Sequence, residues 1–180
     1  MKLKKMILAL FVSLIVLGSI YPVNATAIMG EFHKNWASFL SVQDNGLKFP
    51  AIGTSDAEGN GLDVVFAKDR YRYDTVVYGL MISIPDNKVF DQSDIYECPM
   101  QVRVDNNSIQ YIFGTLSHKV DAWFIEFDEG LSPNFIQQAM KGQNIRIKIM
   151  VKDATINFNF SLSGFTAAYY RAISLFQYVN

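Results

Sequence analysis

"INFNFSLSGFTAAYYRAISL", Ile156 to Leu175, decides the fold. Its first half alternates, with Ile156, Phe158, Phe160 and Leu162 on one side and Asn157, Asn159, Ser161 and Ser163 on the other. That is the period of a strand with one dry face and one wet face. Its second half spaces Phe165, Ala168, Ala172 and Leu175 as a helix does. Gly164 separates the halves, and Ser163 is placed to cap the helix. A strand that turns at once into an amphipathic helix can lay that helix over an open end of its own sheet, where an uncovered edge is a liability. Phe165 follows the turn directly, so its ring is expected in the core beside Phe158 or Phe160.

The period of two continues upstream. "NIRIKIMVKD" puts Ile145, Ile147, Ile149 and Val151 on one face and Arg146, Lys148 and Lys152 on the other. With the opening stretch it predicts a hairpin. "MQVRVDNNSIQYIFG" predicts a second one: Met100, Val102 and Val104, a turn at Asp105 to Asn107, then Ile109, Tyr111 and Phe113 as the next apolar face. "DAWFIEFDE" places Trp123, Ile125 and Phe127 together. "LDVVFA" and "TVVYGLMISI" are more continuously apolar and read as central strands. "NWASFLSV" and "LKFPAIG" are the first strands, with Pro50 pushing the second toward an edge. "SPNFIQQAMKG" is a short connector helix, capped by Ser132, opened by Pro133 and ended by Gly142. The fold class predicted is mainly β: an antiparallel β-sandwich of about seven to nine strands. A C-terminal helix packs on the sheet.

The first residues belong to something else. "MKLKKMILALFVSLIVLGSIYPVNATA" carries Lys2, Lys4 and Lys5, an apolar run from Met6 to Ile20, and a small-residue end at Ala25-Thr26-Ala27. This is the pattern of a secretory leader over residues 1–27, followed by a single domain over 28–180. The apolar run is short for a bilayer span, which needs roughly 20 residues. The expected product is therefore exported, periplasmic or secreted, with no stable membrane insertion once the leader is removed.

The chain has 180 residues and a net charge of −1. The leader holds three lysines and no acids, so residues 28–180 carry 13 basic and 17 acidic residues, a net charge of −4. A mildly acidic domain without a basic block is a poor partner for nucleic acid. Cys98 is the one cysteine, so no internal disulfide can form and packing must hold the fold. Its surroundings in sequence read as those of a buried small hydrophobe rather than of a reactive thiol.

"FSLSGFTAAYYRAI" resembles the end of the invasion-associated locus B family of exported bacterial proteins, through Ser161, Leu162, Gly164, Phe165, Ala167 and Ala168. The same pattern is similar to the end of a periplasmic accessory protein of type VI secretion systems. "NWASF" would match the family's early tryptophan at Trp36, and "LMISIP", Leu80 to Pro85, its mid-chain strand. The resemblance implies a small exported β-sandwich without an established active site, linked to secretion, envelope function or host contact. The family tends to carry cysteine pairs. This chain departs from that pattern, with Cys98 alone and Ser38 where a cysteine would follow the tryptophan.

Few residues offer chemistry. "DAEGNGLD" places Asp56, Glu58, Asn60 and Asp63 around Gly61, like the first half of a calcium loop, but Ala67 stands where a bidentate acid is needed. A polar turn is the favoured reading, and no metal or cofactor is expected. His33 and His118 are the only histidines. The chain contains no G-x-S-x-G elbow, no H-E-x-x-H and no C-x-x-C. "RYRYD" interleaves Arg70, Tyr71, Arg72 and Tyr73, residue types enriched at interfaces, and is the candidate binding face. The reading is a non-enzymatic exported binding protein whose partner is a protein. The alternative is an exported hydrolase or carbohydrate-active protein, which would gather His118 with two acids and a nucleophile in a cleft.

Overall fold

A computed structural model describes residues 25–43, 45–68, 76–85, 96–119, 122–127, 131–151 and 154–179. Ten strands follow one another: β1 Ala25–His33, β2 Trp36–Gln43, β3 Lys48–Ser55, β4 Gly61–Lys68 and β5 Val76–Pro85, then β6 Tyr96–Val104, β7 Gln110–Lys119, β8 Ala122–Phe127, β9 Asn144–Val151 and β10 Ala154–Ser161. Helix α1, Pro133–Lys141, lies between β8 and β9, and α2, Phe165–Ser174, follows β10. The protein is mainly β with a connector helix and a C-terminal helix, as the alternation requires. Among the described residues the strands number ten rather than seven to nine, because β1 carries no clear alternation and Met29 interrupts it with φ of 57°.

All ten strands hydrogen-bond antiparallel in one ladder, in the order β1-β2-β3-β4-β5-β8-β7-β6-β9-β10. Twisted sheets of about ten strands curl, and this one brings its two ends together. The Trp36 indole of β2 donates to the Ser161 carbonyl of β10 at 2.7 Å. The backbone N–H of Asn35 donates to the Ser163 carbonyl at 3.1 Å. The enclosed core draws on strands from both halves and on both helices, with Trp36, Phe66, Ile82, Met100, Trp123 and Phe160 among its large buried members.

The β9–β10 hairpin has the expected register, with Ile147 opposite Phe158 and Ile145 opposite Phe160. Ile145, Ile147, Ile149 and Val151 are all buried. Helix α1 is capped as its sequence predicts, the Ser132 hydroxyl accepting from the Phe135 N–H at 3.2 Å. Gly142 ends it in an extended conformation, and its missing side chain makes room for Val104.

Four expectations need correction. Pro50 does not put β3 at an edge: β3 lies between β2 and β4, and its pairing with β4 begins only at Ala51. The missing N–H of Pro50 therefore falls where no β4 partner is paired. Ser163 does not cap α2. Gly164 takes the cap position at φ of 99°, without a side-chain bond. Phe165 is buried in the same core as Phe158 and Phe160, but the rings it meets are those of Trp36, with centroids 4.9 Å apart, and Tyr169. The apolar alternates of β7 face the other way, so that Ile112 and Leu116 enter the core while Ile109, Tyr111 and Phe113 are exposed.

That last inversion follows from Gly114. It faces inward, where an added Cβ would sit 2.5 Å from Met100 Cε and 2.7 Å from the Glu126 carbonyl oxygen. Only a glycine fits between those strands, and a one-residue shift of register would turn every side chain of β7 over.

Candidate functional site

The reverse side of the sheet, away from the enclosed core, divides into two regions. Over β2, β3, β4, β5 and β8 it is buried, with Phe39, Ala51, Met81 and Phe124 clustered there and the buried carboxylate of Asp63 beside Phe39 and Gly53. Over β7, β6, β9 and β10 it is polar and open. The register stacks its side chains in rows across the strands. Tyr111 lies opposite Gln101, Gln101 opposite Lys148, and Lys148 opposite Asn157. In the next row Arg103 lies opposite Arg146, and Arg146 opposite Asn159.

These rows line a groove of about 400 Å³. Its polar walls are Gln101, Arg103, Arg146, Lys148, Asn157 and Asn159. Ile109 also lines it, and Tyr111 at 67% and Phe113 at 52% exposure stand on the neighbouring strand. Among the described residues, Arg103, Arg146 and Lys148 have no carboxylate in ion-pair contact. The amide side chains of Gln101, Asn157 and Asn159 likewise bond no described group. Asp105 stands in the turn after β6, and both its oxygens are occupied, accepting from the N–H groups of Gln143 and Asn144 at 2.9 Å each.

Two guanidinium groups directly opposite on adjacent strands repel, since cross-strand Cβ atoms lie only about 4.5–5.5 Å apart. A domain of negative net charge thus places on one open face a positive pair that no described carboxylate compensates. Such a pair suits an anion, because guanidinium groups bind carboxylates or phosphates through two parallel hydrogen bonds. Free amides beside it can both donate and accept.

The residues singled out in the sequence lie elsewhere. Arg70, Tyr71, Arg72 and Tyr73 fall outside the described residues. The Asp56 stretch forms a closed turn: Asp56 Oδ1 accepts from the N–H groups of Glu58 and Asn60 at 2.9 and 3.0 Å, and Oδ2 from Asn60 Nδ2 at 2.6 Å. Asp63 is buried within β4, beside Gly53, whose missing side chain leaves room for its carboxylate. The two acids are therefore not presented to one cation. Among the described residues no group of three His, Cys, Asp or Glu side chains is placed to hold a metal.

His33 Nε2 lies 3.0 Å from the buried Ser38 hydroxyl. Among the described residues no carboxylate bonds its other ring nitrogen, the contact that would orient it as a base. His118 pairs with Trp123 across β7 and β8. Cys98 is buried opposite Gly114. Burial pushes its thiol up from the ordinary range, and a backbone hydrogen bond from Leu116 acts the other way.

The C-terminal motif is held by backbone bonds at its start and by packing at Gly164, Phe165 and Ala168, while Ala167 is exposed. Ser161 accepts the Trp36 indole, and the Leu162 N–H donates to the Gln143 carbonyl at 2.7 Å. An added Cβ on Gly164 would collide with the His33 carbonyl oxygen. Phe165 and Ala168 are buried in the core.

No family model and no curated protein matches the chain. Among solved structures, the crystal structure of invasion associated protein B from Bartonella henselae is similar, with a TM-score of 0.54 and 13% identity over 83% of this chain and 99% of that one. At this identity the likeness is one of fold alone.

Proposed function

We propose that the chain is an exported, non-enzymatic binding protein of the bacterial envelope or secretome, and that a protein partner docks on the open face of β7, β6, β9 and β10. The groove carries this reading: three cations and three amides without a partner among the described residues, set on a sheet and open to solvent. Sites built on strands hold side chains in place without a loop rearrangement. The leader pattern supports export. The fold likeness to an invasion associated protein makes secretion or host contact the setting to examine first.

The test is site-directed crosslinking in intact cells, with a photoreactive residue at Tyr111 or Asn157. The expected result is one protein species crosslinked from both positions and lost when Arg103, Arg146 and Lys148 are together replaced by glutamine. Crosslinks that ignore the triple replacement, or no crosslink from either position, would overturn the site. Mass spectrometry of the recovered protein tests export, with a mature N-terminus expected at or near Ile28. β1 would then begin at Ile28, whose partner is Leu40, without the pairs that Ala25 to Ala27 make with Gln43 to Ser41. An intact Met1 on protein recovered from the membrane would overturn leader removal and make it an anchored protein.

A further inference from the structure

Resting on that reading, we propose that the groove takes an extended acidic peptide segment of the partner, with carboxylates at alternate positions, laid along β9.

Spacing carries the argument. Arg146 and Lys148 are two residues apart on one strand and share its open face. Side chains so placed stand about 6.7 Å apart, twice the rise of a strand residue. An extended peptide repeats its own side chains at that same interval. Acids at positions i and i+2 of a peptide running along β9 therefore meet Arg146 and Lys148 without distortion of either chain. Arg103, directly across from Arg146, adds a second guanidinium to the first carboxylate. The two anionic contacts are thus unequal, a paired guanidinium site and a single ammonium site.

The surroundings fit a peptide backbone. Asn157 and Asn159 lie on β10, opposite Lys148 and Arg146. Their amides stand beside the path of the segment, where they can donate to its carbonyls and accept from its N–H groups. Gln101 offers a third amide on the other side, and Tyr111 opposite it supplies an exposed ring. The match is one of charge as well as spacing, since no described carboxylate already neutralises the three cations. A sulfated or phosphorylated glycan would satisfy the charge but carries its anions at sugar-ring intervals. It need not prefer the strand repeat.

The experiment uses the mature chain and fluorescence polarisation with four probes. These are a peptide with glutamates alternating with threonines, a peptide of the same composition with its glutamates contiguous, the alternating peptide with glutamine for glutamate, and a sulfated oligosaccharide of equal charge. Binding is expected to be tightest for the alternating peptide, at least about fivefold weaker for the contiguous one, and absent for the glutamine version. Affinity should fall as salt rises, as for any partly exposed ion contact. Arg146→Gln and Lys148→Gln should each weaken the alternating peptide about tenfold while the unfolding midpoint stays unchanged or rises.

Equal binding of alternating and contiguous peptides would overturn the register argument. Tighter binding of the sulfated oligosaccharide would overturn the peptide in favour of a glycan. If the cellular crosslink depends on the three cations but no acidic peptide binds, the inference fails while the docking face stands. If neither depends on them, the docking face fails as well.

Discussion

Trp36 and Phe165 meet edge to face, with ring centroids 4.9 Å apart and planes at 89°. The first begins β2 and the second begins α2, so this contact ties β2 to the helix that directly follows β10. Trp36 also donates to the Ser161 carbonyl, so one side chain holds both the strand before the turn and the helix after it.

Phe165→Ala should therefore cost about 3–5 kcal/mol, the range for emptying a buried phenylalanine site. The loss includes the aromatic contact as well as the buried area. Arg171→Ala, on the same helix, is the control. Its ion pair with Glu31 at 3.1 Å is solvent-exposed, and such pairs contribute little. It should change stability by no more than about 0.5 kcal/mol. Urea unfolding of both variants decides the matter, and equal midpoints would show that α2 is not part of the core.

Gly164 and Gly46 separate two costs of a side chain. Both have positive φ, 99° and 80°. A Cβ at Gly46 meets nothing within 4 Å, whereas one at Gly164 falls on the His33 carbonyl. Gly46→Ala should lose about 1 kcal/mol from backbone conformation alone. Gly164→Ala should lose clearly more, because the β1–β2 connection must move to admit the methyl group. Similar losses in denaturant titration would show that the close approach to His33 is easily relieved.

Cys98 should be chemically silent in the native protein. It is fully buried, and its thiol is shifted upward by that burial. Iodoacetamide at pH 8 should label it only in urea, since the thiolate is the nucleophile. The folded state holds the thiol proton more tightly than the unfolded chain does. Its contribution to stability is therefore present below the ordinary thiol range and declines as pH rises through and above it. Cys98→Ala should cost about 1–2 kcal/mol and remove that part of the pH dependence. Rapid native labelling, or a covalent dimer on non-reducing gels, would contradict this.

The strands were legible where one face is apolar and the other is not. Arg146 and Lys148 alternate with Ile145, Ile147 and Ile149, and that pattern admits only one orientation. On β7 both alternating sets contain apolar residues, so the pattern does not choose between them. The narrow space at Gly114 chooses, and neither Met100 nor Glu126 is near it in the chain. The groove was hidden for a related reason. The outward direction of Arg103 and of Arg146 can each be read from its own strand. Their adjacency depends on β6 pairing with β9 across two intervening strands and a helix in the chain. Pro50 misled because its missing N–H excludes a hydrogen-bonded position, not an interior strand.

The Arg103–Arg146 pair gives the last expectation, and its sign separates a binding site from a structural one. Like charges directly opposite on neighbouring strands destabilise a sheet. Neither guanidinium has a described carboxylate partner to offset this. Arg103→Gln and Arg146→Gln should therefore each raise stability, by about 0.2–1 kcal/mol, the usual scale of a cross-strand pair. The gain should shrink at high salt, where exposed charges are screened. The double variant should gain less than the sum of the singles, because the first replacement already removes the repulsion. Unfolding midpoints at low and high salt complete the double-mutant cycle. Losses in both single variants at low salt would mean that the arginine stems support the sheet by packing. Gains would show that the sheet carries an unfavourable pair whose removal favours the fold, the behaviour expected where two cations are held in place for an anion that arrives from outside.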